Sequence, residues 1–167
     1  MNYQEMASQV LEKIGGKSNL ISGAHCATRL RLVVADEKSI EKYGGSRMYF
    51  APPANYDTVM KQVPEGKLIT VGMLRDFFAR KAGADFTDPI TAGIFLSIAA
   101  WASEQREDNK TPWHRTLKAD GELNPKYPGG CLRQKALLEA EGHTVITKGR
   151  TNIKYFVKDY DQSLFIL

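Results

Sequence analysis

Tyr43-Gly44-Gly45-Ser46-Arg47 constrains this chain more than any other run. Two glycines and a serine offer no side chain to pack and leave the backbone free, so the run reads as a joint. Pro52-Pro53 follows and keeps the next residues extended before a helix. The boundary therefore falls near residue 43, dividing the 167 residues into a segment 1–42 and a larger part 43–167. A chain of this length suits one domain with an appendage of about 40 residues. No repeat or low-complexity tract lies on either side.

The first segment reads as a small, partial α/β unit. Met6, Val10, Leu11 and Ile14 recur at helical spacing over Tyr3–Ile14, and Gly15-Gly16 ends the run. Leu20–Ser22 and Arg29–Val34 read as strands, and Asp36–Lys42 as one or two helical turns. The larger part is mainly α. A helix is expected over Asn55–Val63, closed by Pro64-Glu65-Gly66. Thr70 is a suitable N-cap for a helix over Gly72–Lys81. Asp88-Pro89 supplies a cap and an N1 proline for a long helix to about Arg106. Gly130–Glu141 is an amphipathic helix closed by Gly142. His143–Thr147 and Lys154–Val157 form a hairpin, and Tyr155-Phe156-Val157 with Tyr160–Leu167 pack as a terminal strand and tail. The fold class is α+β, mainly α.

Charge and cysteine content exclude several functions. The 23 Lys and Arg against 19 Asp and Glu give a net charge of +4, which permits a nucleic-acid partner without requiring one. Cys26 and Cys131 are the two cysteines, too few to staple a secreted scaffold, so a cytoplasmic location is expected. The longest apolar stretch, Ile90–Ala102, is short of the roughly 20 residues of a membrane span. His25, His114, His143 and the cysteines show no zinc spacing, and no phosphate-binding glycine loop is present. No metal and no cofactor are expected.

Two constellations carry chemistry. The first is Ser22-Gly23-Ala24-His25-Cys26-Ala27-Thr28-Arg29-Leu30-Arg31, a cysteine beside a histidine and two arginines between strands. Positive neighbours lower a thiol's pKa and make it a nucleophile, although a small buried cysteine beside solvated arginines reads equally well. Together with Gly15-Gly16-Lys17-Ser18-Asn19, the run resembles the start of the glucose-type enzyme IIB domain of the bacterial phosphotransferase system. The resemblance implies that Cys26 accepts a phosphoryl group from a phosphotransferase component and passes it to sugar. It ends near residue 40, whereas the family's domain is about twice as long as the segment here.

The second runs through Val63-Pro64-Glu65-Gly66-Lys67-Leu68-Ile69-Thr70-Val71-Gly72, the Asp88–Arg106 helix, and Thr111-Pro112-Trp113-His114-Arg115. It continues through Ala119-Asp120-Gly121-Glu122-Leu123 and Gly129-Gly130 to Leu137–Gly142. Their order resembles the DNA-binding domain of the O6-alkylguanine-DNA alkyltransferases, a winged helix-turn-helix that enters the minor groove and flips out a damaged base. Trp113 stands where those enzymes keep a nucleophilic cysteine, so alkyl transfer at that position is excluded. Tryptophan in this slot is similar to the alkyltransferase-like proteins, which bind alkylated guanine without repairing it and mark it for repair proteins.

The resemblance implies DNA as the partner and a lesion pocket of Trp113, His114, Arg115 and Glu141, with Glu141 orienting His114. It places Thr91, Ala92, Gly93 and Ser97 on the face toward the minor groove, with Arg75 and Arg80 near phosphates. Val71 and Ile90 depart from the family's tyrosine and arginine, and Pro89–Ser103 carries no charge. A second reading of the same residues stays open: Trp113 as a packed core aromatic, His114 as a structural imidazole, and Pro89–Ser103 as a buried helix. A third is an interaction module that has lost both chemistries.

Overall fold

A computed structural model describes residues 3–26, 29–36, 45 and 47–167. It is α+β and mainly α, as the periodicity predicts. The chain divides into two compact units, Met1–Ala51 with Phe78–Asp88, and Pro52–Phe77 with Pro89–Leu167.

In the first unit, helix α1 spans Tyr3–Lys13. Gly15 (φ 92°) and Gly16 (φ 88°) follow it, and the Gly16 N–H donates to the Leu11 carbonyl at 2.8 Å. That bond, five residues back, closes the helix through a left-handed turn that costs glycine little. Strands β1 (Leu20–Cys26) and β2 (Arg29–Val34) pair antiparallel, with Cys26 opposite Arg29. Strand β1 is longer than the Leu20–Ser22 expected, so His25 and Cys26 continue the strand. Ser22-Gly23-Ala24 has no strand preference of its own; the ladder to β2 imposes it. Buried Asn19 ties the ends together, donating from Nδ2 to the Ile14 and Asp36 carbonyls and accepting from the Asp36 N–H. The helical turn expected over 36–42 lies, apart from Asp36, outside the described residues, as do residues 43, 44 and 46 of the joint. Strand β3 (Met48–Tyr49) pairs with a strand from later in the chain, Phe86–Thr87, in parallel. Ile14 and Phe86 form the core of this unit, with Leu11, Leu20, Leu32 and Met48 around them.

In the second unit, helix α2 (Pro53–Met60) packs on the long helix α4 (Pro89–Glu104), with the Tyr56 and Phe95 rings 6.4 Å apart. Strand β4 (Ile69–Thr70) leads directly into helix α3 (Val71–Ala82). The Thr70 Oγ1 accepts from the Met73 N–H at 3.2 Å, the cap that the sequence predicts. Phe86–Thr87, in the first unit, is strand β5. Strand β6 (Thr116–Leu117) pairs with β4 in parallel, Ile69 opposite Thr116. Helix α5 spans Gly130–Ala140, and β7 (Val145–Lys148) and β8 (Lys154–Val157) form the expected antiparallel hairpin. The expected terminal strand over Tyr155–Val157 lies within β8, and the tail follows it. Tyr160–Ser163 is a short 3-10 turn, after which Leu164 bridges Leu68, and Phe165 N–H donates to the Leu68 carbonyl at 2.8 Å. Leu68, Leu117, Leu123, Leu138 and Val157 make the core that these elements share. Among the described residues no helix is long and apolar enough to cross a membrane.

Candidate functional site

Pro112 ends a loop after α4, and Trp113–Arg115 then forms one 3-10 turn. Its geometry points three consecutive side chains into different contacts. Helix α5 brings Glu141, just past its last turn, back to the same place. The result is a polar network built from residues 27 positions apart: His114 Nε2 lies 2.7 Å from Glu141 Oε1. Arg115 donates from Nε to both Glu141 oxygens at 2.9 and 3.0 Å, and from a terminal nitrogen to Oε1 at 2.7 Å. Its other terminal nitrogen donates to the Val63 carbonyl at 2.8 Å, and the Gly66 N–H donates to Glu141 Oε2 at 3.2 Å. The Val63–Gly66 turn, the 3-10 turn and the end of α5 thus meet at one carboxylate.

Burial works to raise the Glu141 pKa, but hydrogen bonds from Arg115, His114 and Gly66 outweigh it and hold the group at about 2. The carboxylate is therefore ionised at neutral pH and only accepts hydrogen bonds. Burial lowers the His114 pKa, with Glu141 opposing and Arg115 reinforcing the change. A neutral His114 must carry its proton on Nε2 to donate to Glu141.

Trp113 is 2% exposed. Trp113 thus sits in the core, as the second reading of these residues has it. Its Nε1 donates to Glu104 Oε1 at 3.0 Å, and Tyr127 and His114 meet its ring edge-on at 5.7 and 5.9 Å. An indole is large and apolar with one donor, so a buried site that supplies an acceptor suits it. Gln134, fully buried on α5, fixes the turn from behind. It donates to the His114 and Thr116 carbonyls at 3.0 and 3.2 Å and accepts from the Asn124 N–H at 2.8 Å.

The face expected to meet DNA is only partly available. Thr91 and Ala92 on α4 are buried, which corrects their assignment to an exposed stripe. Gly93 and Ser97 are half-buried, and Ser97 Oγ donates back to the Gly93 carbonyl at 2.9 Å. The exposed positions of α4 are instead Ile98 and Trp101, whose Nε1 donates to the Lys126 carbonyl. A helix apolar on all sides hides which stripe is covered, because the covering residues come from elsewhere in the chain. On α3, Arg75 is half-buried and Arg80 exposed. Cys26 ends β1; its side chain lies outside the described residues. Cys131 is half-buried, and burial together with the Glu122 charge pushes its pKa up, away from nucleophilic chemistry.

Glu104, Tyr127, Arg133 and Gln134 complete the site and were not singled out by sequence. Gln134 had a signal: it holds a core position of α5, between Cys131 and Leu138, where an apolar residue is the rule.

Residues 8–40 match the family model for phosphotransferase system EIIB. The sucrose-specific EIIBC component of Pasteurella multocida is 44% identical over 64 residues, 35% of this chain and 14% of that protein. The sucrose-specific EIIBC component of Bacillus subtilis is 57% identical over 42 residues, 25% of this chain and 9% of that protein. The chain thus spans only a small fraction of the length of these relatives. Among solved structures, S. pombe Atl1 in complex with damaged DNA containing O6-carboxymethylguanine is similar, with 23% identity and a TM-score of 0.43. The match covers 68% of this chain and 93% of that one. An S. pombe ATL structure in complex with DNA has the same identity and coverage and a TM-score of 0.44.

Proposed function

We propose that residues 43–167 form a non-catalytic DNA-binding module of the alkyltransferase-like type, a winged helix-turn-helix that recognises O6-alkylated guanine in the cytoplasm and presents it to repair proteins. The carrying observation is the meeting of His114 with Glu141 at 2.7 Å beside Trp113. The acid and base partners that the motif implies are assembled, and at the position where the motif keeps its nucleophile the chain carries an indole, 5.9 Å from the His114 ring. An indole offers no thiolate to take an alkyl group, so recognition is the chemistry left to the site. Exposed Arg80 and half-buried Arg75 supply positive charge on α3, and half-buried Gly93 has open space where a Cβ would stand. The test is an anisotropy titration at low salt, comparing a labelled duplex holding one O6-methylguanine with the same duplex holding guanine. Tighter binding of the modified duplex supports the reading, and equal or absent binding refutes it.

A second reading rests on a separate observation, the EIIB match over residues 8–40. In it, residues 1–42 act as a phosphocarrier segment. The Cys26 thiolate attacks a phosphohistidine of a phosphotransferase component, the P–N bond breaks, a P–S bond forms, and the imidazole leaves with a proton. Intact mass after incubation with the phosphorylated donor decides it: a phosphoryl adduct, lost in Cys26→Ser, is the supporting result.

A further inference from the structure

Trp113 is closed off unevenly. Its Nε1 is held by Glu104, and Tyr127 and His114 meet it edge-on, both from within the fold. A further neighbour is of another kind. The Arg133 guanidinium carbon lies 5.6 Å from the ring centroid, on a side chain that is 48% exposed. Arg133 also donates to Glu104 Oε2 at 2.8 Å, so a single carboxylate holds both the indole and the arginine that covers it.

The backbone makes room for this arrangement. Gly129, immediately before α5, has φ +72°, and a Cβ there would sit 2.6 Å from Arg133 Cδ and 2.7 Å from its Cβ. A side chain at 129 would push Arg133 out of its path. A flexible, half-exposed arginine held by one outer ion pair and one ring contact is displaced at little cost. Tyr127 is fully buried, and His114 is pinned to Glu141.

We propose that Arg133 is a movable cover on the Trp113 ring, and that a planar nucleobase takes its place when it swings out. The released guanidinium is then free to pair with a phosphate of the same strand. Guanidinium and purine are both flat and both can stack on an indole, so a base is a chemically suitable replacement for the arginine. The ligand assignment rests on the DNA-binding reading above; the cover does not.

The experiment uses the full chain with Trp101→Phe, which leaves Trp113 as the sole tryptophan, and follows quenching of its fluorescence by acrylamide. Arg133→Ala raises the quenching constant severalfold. Glu104→Gln keeps an acceptor for the indole but removes the ion pair, and gives an intermediate rise. Circular dichroism confirms that each variant is folded. An unchanged quenching constant in folded Arg133→Ala overturns the cover. Saturation of Arg133→Ala with the O6-methylguanine duplex returns the constant toward the parent value. A duplex that binds by anisotropy and leaves quenching high overturns the base as occupant. A duplex that does not bind removes the ligand together with the DNA-binding function, and the cover stands or falls on quenching alone.

Discussion

At residue 113 the indole serves structure before anything else. Trp113→Phe retains most of the apolar contact but leaves the buried side of Glu104 without its donor, a loss of about 1 kcal/mol. Trp113→Ala opens a cavity and costs about 3–5 kcal/mol. Urea unfolding of the two variants checks this; no loss in Trp113→Phe would mean that the hydrogen bond to Glu104 contributes nothing. The His114–Glu141–Arg115 network makes stability depend on acid. His114 has a pKa below its ordinary 6.5 when folded, so the unfolded chain binds its proton first. Stability is complete above that value and falls as pH drops through the folded pKa. Glu141 acts in the same direction over a lower window, from its ordinary 4.5 down to about 2. The thermal midpoint therefore declines in two stages below about pH 6.5, and His114→Gln shrinks the upper stage, to which His143, also held below its ordinary value by burial, contributes the rest. A midpoint flat down to pH 4 would contradict this. The motif residues were legible because Pro112 to Arg115 are adjacent in sequence. The burial of Trp113, Thr91 and Ala92 was one of two open readings, and side chains distant in the chain decide it.

The helices were the most legible elements, because apolar residues recur through them and their ends carry capping chemistry. Thr70 is the clearest instance. Its hydroxyl receives the Met73 N–H, so Thr70→Ala lowers stability by about 1 kcal/mol while Thr70→Ser retains most of it. Urea midpoints of the two variants check this, and equal losses would mean that the cap is inactive. The strands β3, β4, β5 and β6 went unread for a physical reason: two residues hold no period, and each strand exists only because a distant partner lies beside it. Strand β1 was read short for a related reason, its Ser-Gly-Ala run being carried by pairing with β2. Helix α4 was found at its full length, from Pro89 to Glu104, but its uniform apolarity concealed which side stays exposed.

At the scale of the whole molecule the chain joins two resemblances. Residues 8–40 match phosphotransferase system EIIB, and the larger part carries the Pro112-Trp113-His114-Arg115 motif with its glutamate. The composition shift at the glycine joint suggests a boundary near residue 43, whereas the compact units are Met1–Ala51 with Phe78–Asp88, and Pro52–Phe77 with Pro89–Leu167. The parallel pairing of Met48–Tyr49 with Phe86–Thr87 was invisible, because it joins segments nearly 40 residues apart. In the proposed function the site around Trp113 recognises an alkylated base and does not react with it. One sample tests both halves: the chain is titrated with a duplex holding one O6-methylguanine, and its intact mass is then taken from the saturated complex. The account predicts preferential, saturable binding over the unmodified duplex and an unchanged mass. No preference for the modified duplex, or a chain heavier by one methyl group, would contradict it.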